Sequence, residues 1–146
     1  MAEVVPYSIE YRGEVYEMLK QFHKNSLDEY GLELEYKDIE ALEETQGDTT
    51  FILLDQGEVI GILAGQIVTQ PMADKKVYQE SIWYVDENSR KYGVKLIRHL
   101  EDWCVENGIK QIVMAFMHNS MGVKLFDFYE RMGYKPMETH LIKDVG

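Results

Sequence analysis

The chain has 146 residues, 45% of them hydrophobic and 28% charged, with a formal net charge of −11 at pH 7. That length suits one core, and the balance is that of a globular domain rather than a disordered segment; no apolar run approaches the ~20 residues of a membrane helix. Met1 to Met18 lacks a basic start followed by an apolar stretch and does not read as a secretory signal. The single cysteine, Cys104, excludes an internal disulfide, and a cytoplasmic address is expected. From Asp28 to Glu58 the sequence is strongly acidic, with Lys37 as its only base. Such a surface repels phosphate backbones, so no nucleic-acid partner is expected. Its plain role is a solvated face that keeps the chain soluble; its sharper one is a rim that concentrates a cationic substrate.

In chain order, Val15, Met18, Leu19 and Phe22 form one helical stripe, and Tyr36, Ile39 and Leu42 suggest a second, shorter helix. An extra strand before the first helix is compatible with the pattern. Phe51 to Leu54 is a continuous apolar run, Gln56-Gly57 a turn, and Val59 to Val68 rich in β-formers, which together predict a hairpin. Pro71 to Lys76 reads as a loop and Val77 to Val85 as the next strand. Gly93 to Glu106 carries Leu96, Ile97, Leu100, Trp103 and Cys104 on one helical face, and Asn107-Gly108 stops it. Ile109 to Met117 is apolar enough for a central, buried strand. A helix over about Ser120 to Met132 and a last strand, Tyr134 to Ile142, complete the series. No repeat or linker divides the chain, so one domain over 1–146 is expected.

The loop between the Val77–Val85 strand and the next helix reads Asp86-Glu87-Asn88-Ser89-Arg90-Lys91-Tyr92-Gly93. A helix start presents backbone N–H groups and the positive end of its dipole, which suits an anion. Arg90 and Lys91 add donors fitted to phosphate oxygens, and Gly93 lets the backbone come close to a ligand or a strand. An ordinary connection whose basic residues face water has the same composition. No Gly-x-x-x-x-Gly-Lys-Ser/Thr loop and no Cys/His spacing for a metal is present.

The run Arg90-Lys91-Tyr92-Gly93-Val94-Lys95-Leu96-Ile97-Arg98-His99-Leu100 resembles the pyrophosphate loop and following helix of GNAT N-acetyltransferases, whose pattern is Q/R-x-x-G-x-G/A. One register makes Gly93 the last small residue, puts Lys91 where the first glycine stands and Asn88 where the Gln or Arg stands. The other makes Arg90 the Arg, Gly93 the first glycine and Lys95 the misfit. The first is preferred because it keeps the apolar phase of the helix. Glu80 to Val85 resembles the family strand whose backbone pairs with the pantetheine arm of CoA. Leu125 to Tyr134 resembles its C-terminal Tyr-Glu-x-x-Gly-Phe/Tyr signature.

The resemblance spans about Glu58 to Lys143. It implies an α/β (α+β) fold with a mixed, mostly antiparallel sheet of six or seven strands and about four helices. It also implies direct acetyl transfer from acetyl-CoA to a primary amine, carried by a small molecule or a peptide, with no metal. The implied cofactor contacts are Trp83, Tyr84, Val85, Asn88, Ser89, Arg90, Lys91, Tyr92, Gly93, Val94 and Asn119. Tyr129 matches the tyrosine that faces the CoA sulfur, although Val123, Phe126, Tyr129 and Met132 also share the spacing of a packed helical face. Glu80 stands where many relatives carry a glutamate that accepts the amine's proton. On an alternating strand it would share a face with Tyr78, Ile82 and Tyr84. His118 and His140 are the other candidate bases. Relatives commonly form homodimers, and many acetylate protein N-termini, lysines, polyamines or aminoglycosides. A non-catalytic acyl-CoA-binding domain on the same fold is the alternative.

Overall fold

A computed structural model describes residues 1–70, 72–115 and 122–146 of the chain. Strand β1 (Ala2–Pro6) leads into helix α1 (Arg12–Ser26) and helix α2 (Tyr36–Gln46). Strands β2 (Phe51–Asp55), β3 (Glu58–Gln70) and β4 (Lys75–Val85) follow. Helix α3 (Gly93–Glu106), the short strand β5 (Ile112–Val113) and helix α4 (Gly122–Arg131) complete the described elements. The sheet order is β1-β2-β3-β4-β5; every pairing is antiparallel except β4 with β5, which is parallel. This is the mixed α/β architecture expected, with five strands among the described residues in place of six or seven.

Alternation in β2 explains how one apolar run serves two cores. Phe51 and Leu53 point to the α3 side, where they pack with Leu96, Ile97, Leu100 and Cys104. Ile52 and Leu54 point to the other side, against Val15, Leu19 and Ile39 of α1 and α2. Burial on both faces removes the polar positions that a half-solvated strand would show. Gln56 and Gly57, both at positive φ (52° and 80°), close β2 onto β3 with the left-handed pair that a tight hairpin requires. Across the α1–α2 face, Arg12 grips Glu43 through Nε and Nη2 at 2.8 and 2.6 Å, which ties the start of α1 to the third turn of α2.

Two strand expectations are corrected. Among its described residues the segment Ile109 to Met117 contains only the two ladder residues of β5, paired with Tyr78 and Gln79, and β5 lies at the edge of the described sheet rather than its centre. Phe116 and Met117 fall outside the described residues, as do Pro71 and the Ser120 start expected for the last helix. Tyr134 to Ile142 forms no strand, and Met137, Leu141 and Ile142 are exposed. Its alternation is that of a strand, but a strand exists only where a neighbouring edge supplies donors and acceptors. Pro136 removes one donor of its own.

Candidate active site

Strand β4 carries the decisive irregularity. Ala64 pairs with Ile82 and Gly65 with Glu80, so Ser81 is an extra residue, a β-bulge. The bulge reverses side-chain parity. Tyr78, Trp83 and Val85 all face the α3 core, whereas Ile82 and Tyr84 face α1. Glu80 therefore keeps the side of Tyr78 but does not share a face with Ile82 and Tyr84, contrary to simple alternation.

The parallel ladder between β4 and β5 ends at Gln79–Val113. Beyond it no ladder pair joins the two segments among the described residues, and side chains bridge this open end, the fork. Glu80 Oε2 accepts the Ala115 N–H at 2.9 Å, and Tyr129 Oη donates to the Ala115 carbonyl at 2.9 Å. The two residues singled out for proton transfer thus engage the two backbone groups of one alanine. Glu80 and Tyr129 are each 7% exposed. Burial pushes the Glu80 carboxyl up to about 7, opposed in part by the Ala115 N–H, which favours the anion. Burial also raises the Tyr129 phenol, with the Glu80 charge adding to it. Tyr129 is held by the rings of Trp83, Phe128 and Tyr134, with centroids 5.8, 6.1 and 5.6 Å away.

A cavity of about 640 Å³ opens at this fork. It is lined on one side by Phe22, Asn25 and Ser26 of α1, and on the other by Leu125, Phe128 and Tyr129 of α4. Trp83, Tyr84 and Val85 form its floor, and Arg90, Lys91, Gly93 and Val94 its end. Its charged lining is Arg90, Lys91, Arg98, Lys124 and Arg131 against a single carboxylate, Glu80, among the described residues. In a chain of net charge −11 this is a sharp local reversal, suited to a polyanion.

The expected pyrophosphate loop is a 3-10 turn, Glu87–Tyr92, that runs directly into α3. The amides of Ser89 and Gly93 are used within it, by Asp86 O and Arg90 O. No side chain caps α3 at Tyr92. Gly93 lies under β4: a Cβ there would come within 3.3 Å of Val85 Cγ2 and 3.5 Å of Trp83 Cζ2. The neighbouring Trp83 Nε1 is buried without a partner among the described residues. Arg90 Nε donates to Val85 O at 3.0 Å and its guanidinium stands over the Tyr84 ring. Lys95 turns away from the cavity to Ala2 O.

Of the expected cofactor contacts, Trp83, Tyr84, Val85, Arg90, Lys91, Gly93 and Val94 line the fork. Asn88 and Ser89 instead line an adjoining cavity of about 570 Å³, together with Asp55, Glu58, Asp86 and Glu87. Tyr92 packs on the α3 core between Lys91 and Lys95. Asn119 and His118 lie outside the described residues, and His140 is on the exposed tail. None of the carboxylates from Asp28 to Asp48 lines either cavity. Sequence reasoning missed Arg98, Lys124 and Arg131. A signal was present for one pair: Lys124 and Arg131 are seven residues apart on one helix and so share a face.

Among the described residues no group of His, Cys, Asp and Glu could hold a metal ion, and no helix is long and apolar enough to cross a membrane. The profile of the acetyltransferase (GNAT) family matches residues 13–134. An aminoglycoside acetyltransferase from an uncultured soil metagenomic sample superposes with a TM-score of 0.76 at 16% identity, covering 100% of this chain and 99% of the other. A ribosomal-protein-alanine N-acetyltransferase from Brucella melitensis biovar Abortus 2308 gives 0.76 at 15%, covering 98% and 99%. A second soil metagenomic aminoglycoside acetyltransferase, in complex with sisomicin, gives 0.74 at 14%, covering 99% and 97%. No curated protein matches the chain significantly. The family match, over most of the chain, places it among the acyl-CoA-dependent transferases. The chain belongs to the GNAT acetyltransferase family, and acetyl-CoA is its cosubstrate.

Proposed function

We propose that this chain is a single N-acyltransferase domain that moves the acetyl group of acetyl-CoA directly to a primary amine of a cationic acceptor, in the cytoplasm. One observation carries the reading: Glu80 and Tyr129 meet at Ala115, where the β4–β5 ladder opens. The pantetheine arm would pair with the unpaired backbone of β4 beyond Gln79. The phosphates would take Arg90, Lys91 and the uncapped start of α3, with Arg98, Lys124 and Arg131 as further cations. Asn88 and Ser89 are assigned the outer edge of that loop, and Asn119 follows the family resemblance alone.

The acceptor arrives as an ammonium ion, since an ordinary amine has a pKa near ~10. A carboxylate raised to about 7 is a better proton acceptor than an ordinary one, and Glu80 takes the proton directly or through a water. The freed amine adds to the thioester carbonyl carbon, its nitrogen releases a second proton to solvent, the carbon–sulfur bond breaks, and Tyr129 supplies a proton to the departing thiolate. The products are an N-acetyl amide, CoA thiol and one proton left on Glu80 for release, with the phenol reprotonated from solvent.

Support for a cationic acceptor comes from Glu80, the sole carboxylate of the described lining, more than from the acidic segment Asp28 to Asp48. The aminoglycoside acetyltransferases among the similar folds favour a small-molecule amine. The test is a panel of amines monitored by CoA release, with the wild type and Tyr129→Phe. Turnover of at least one amine is expected, with kcat reduced about 10- to 100-fold in the variant and acetyl-CoA affinity retained. Acetyl-CoA binding without transfer to any amine would make the chain a binding domain.

A further inference from the structure

The bulge that sets the side of Glu80 is not held by its own strand. Ser81, its extra residue, has no ladder partner on β3. An unpaired residue in a strand leaves the local register soft unless side chains fix it. Here the fixing groups come from the end of α2. Ser81 Oγ donates to Gln46 Oε1 and lies 3.2 Å from Ala64 O. The Gln46 carbonyl in turn accepts the hydroxyls of Thr49 and Thr50, at 3.2 and 2.7 Å. Thr49 Oγ1 also reaches Gly65 O, and Thr49 O accepts the Tyr78 hydroxyl at 2.6 Å. One short stretch of chain therefore grips β3 and β4 on both sides of the irregularity.

We propose that Gln46 and Ser81 are positioning residues: their side-chain contact pins the bulge and keeps Glu80 on the face of the sheet where Tyr129 and Ala115 stand. Released, and with the Ile82–Val85 half held in place, β4 can relax toward plain alternation, which turns Glu80 with Tyr78 to the side of Ile82 and Tyr84, toward the α1 wall of the open cavity. In place, Glu80 is faced by Tyr78 on its own strand, Tyr129 on α4 and the Ala115 amide after β5. Ser81 lines the cavity and Gln46 does not, so Gln46→Ala separates a positioning role from a direct contact with the reactants. The catalytic consequence rests on Glu80 being the proton acceptor, whereas the structural one does not.

Gln46→Ala and Ser81→Ala are the tests, with Ser81→Thr, which keeps the hydroxyl, as the control. In acetyl transfer both alanine variants should lose roughly 10- to 100-fold in kcat while the acetyl-CoA KM stays within about twofold. The acid limb of their pH profiles should fall from about 7 toward 4.5 as Glu80 becomes hydrated. Ser81→Thr should behave as the wild type. A second readout needs no acceptor: an infrared difference titration of the Glu80 carboxyl, assigned with Glu80→Gln, should show the same downward move. Alanine variants whose kcat, acid limb and carboxyl titration all match the wild type overturn the proposal. A wild type inactive on every amine refutes the enzymatic reading, and the infrared titration still decides this one. If Ser81→Ala does not fold, Gln46→Ala, which leaves the strand untouched, decides the matter on the same readouts.

Discussion

At the scale of single residues, Glu80 is where chemistry and stability meet. Its carboxyl is raised by burial from 4.5 to about 7, so the folded chain holds a proton there that the unfolded chain releases between those values. More protons are then bound in the native state, so the carboxyl's contribution to stability is complete below about 4.5 and is lost as pH rises through 7. In the proposed mechanism activity runs the opposite way, because the base must be ionised. Glu80→Gln should remove the acid limb near 7 from kcat/KM, with a loss of about 100-fold or more above it. The same change should flatten the stability decline between pH 4.5 and 7 in urea titrations. A wild-type profile with no limb near 7 would remove Glu80 from the role of base. Glu80 was legible as a candidate from its place in the strand, but its side was not. Alternation assigned it to the Ile82–Tyr84 face, and one unpaired serine reversed that.

Among the elements, β3 and β4 carry the bulge, and Gly65 is what lets them pack beside it. A Cβ at Gly65 would stand 2.5 Å from Gln79 O and 2.5 Å from the Tyr78 ring, distances no side chain tolerates. Gly65→Ala should cost about 1–3 kcal/mol of unfolding free energy, read as a lower urea midpoint. Displaced ring and carbonyl would also disturb the adjoining bulge, so kcat should fall beyond what stability explains. The elements themselves were largely legible. The stripe on Gly93 to Glu106 became α3 with those bounds, because a 3.6-residue apolar period leaves one face to bury. Tyr134 to Ile142 failed as a strand because pairing is a property of two segments, and the sequence of one cannot supply the other's edge.

On the scale of the whole molecule, charge is segregated rather than averaged. The net charge is −11, yet the described lining of the fork holds five cations, Arg90, Lys91, Arg98, Lys124 and Arg131, and one carboxylate. On the proposed reading, acetyl-CoA approaches an acidic body to reach this basic groove. Attraction inside the groove is short-ranged and partly shielded from ions, while repulsion from the body is screened by salt. The acetyl-CoA KM should therefore change only modestly, about two- to threefold, on raising ionic strength to ~0.5 M. Lys124→Glu with Arg131→Glu should raise it by about tenfold or more at low salt. An unaltered KM in that double variant would take α4 out of cofactor binding.

What the sequence determined by itself was local: the helices, the strands between Phe51 and Val85, and where Gln56-Gly57 and Asn107-Gly108 turn the chain. Each depends on periodicity, backbone preference or a contiguous motif, and these act over a few residues. The tertiary structure alone decided the side of Glu80, its meeting with Tyr129 at Ala115, and the gathering of Arg98, Lys124 and Arg131 on one groove. It also showed that the acidic segment from Asp28 to Asp48 lies off the lining of that groove. These depend on a register shift and on the packing of distant segments, which no local pattern encodes.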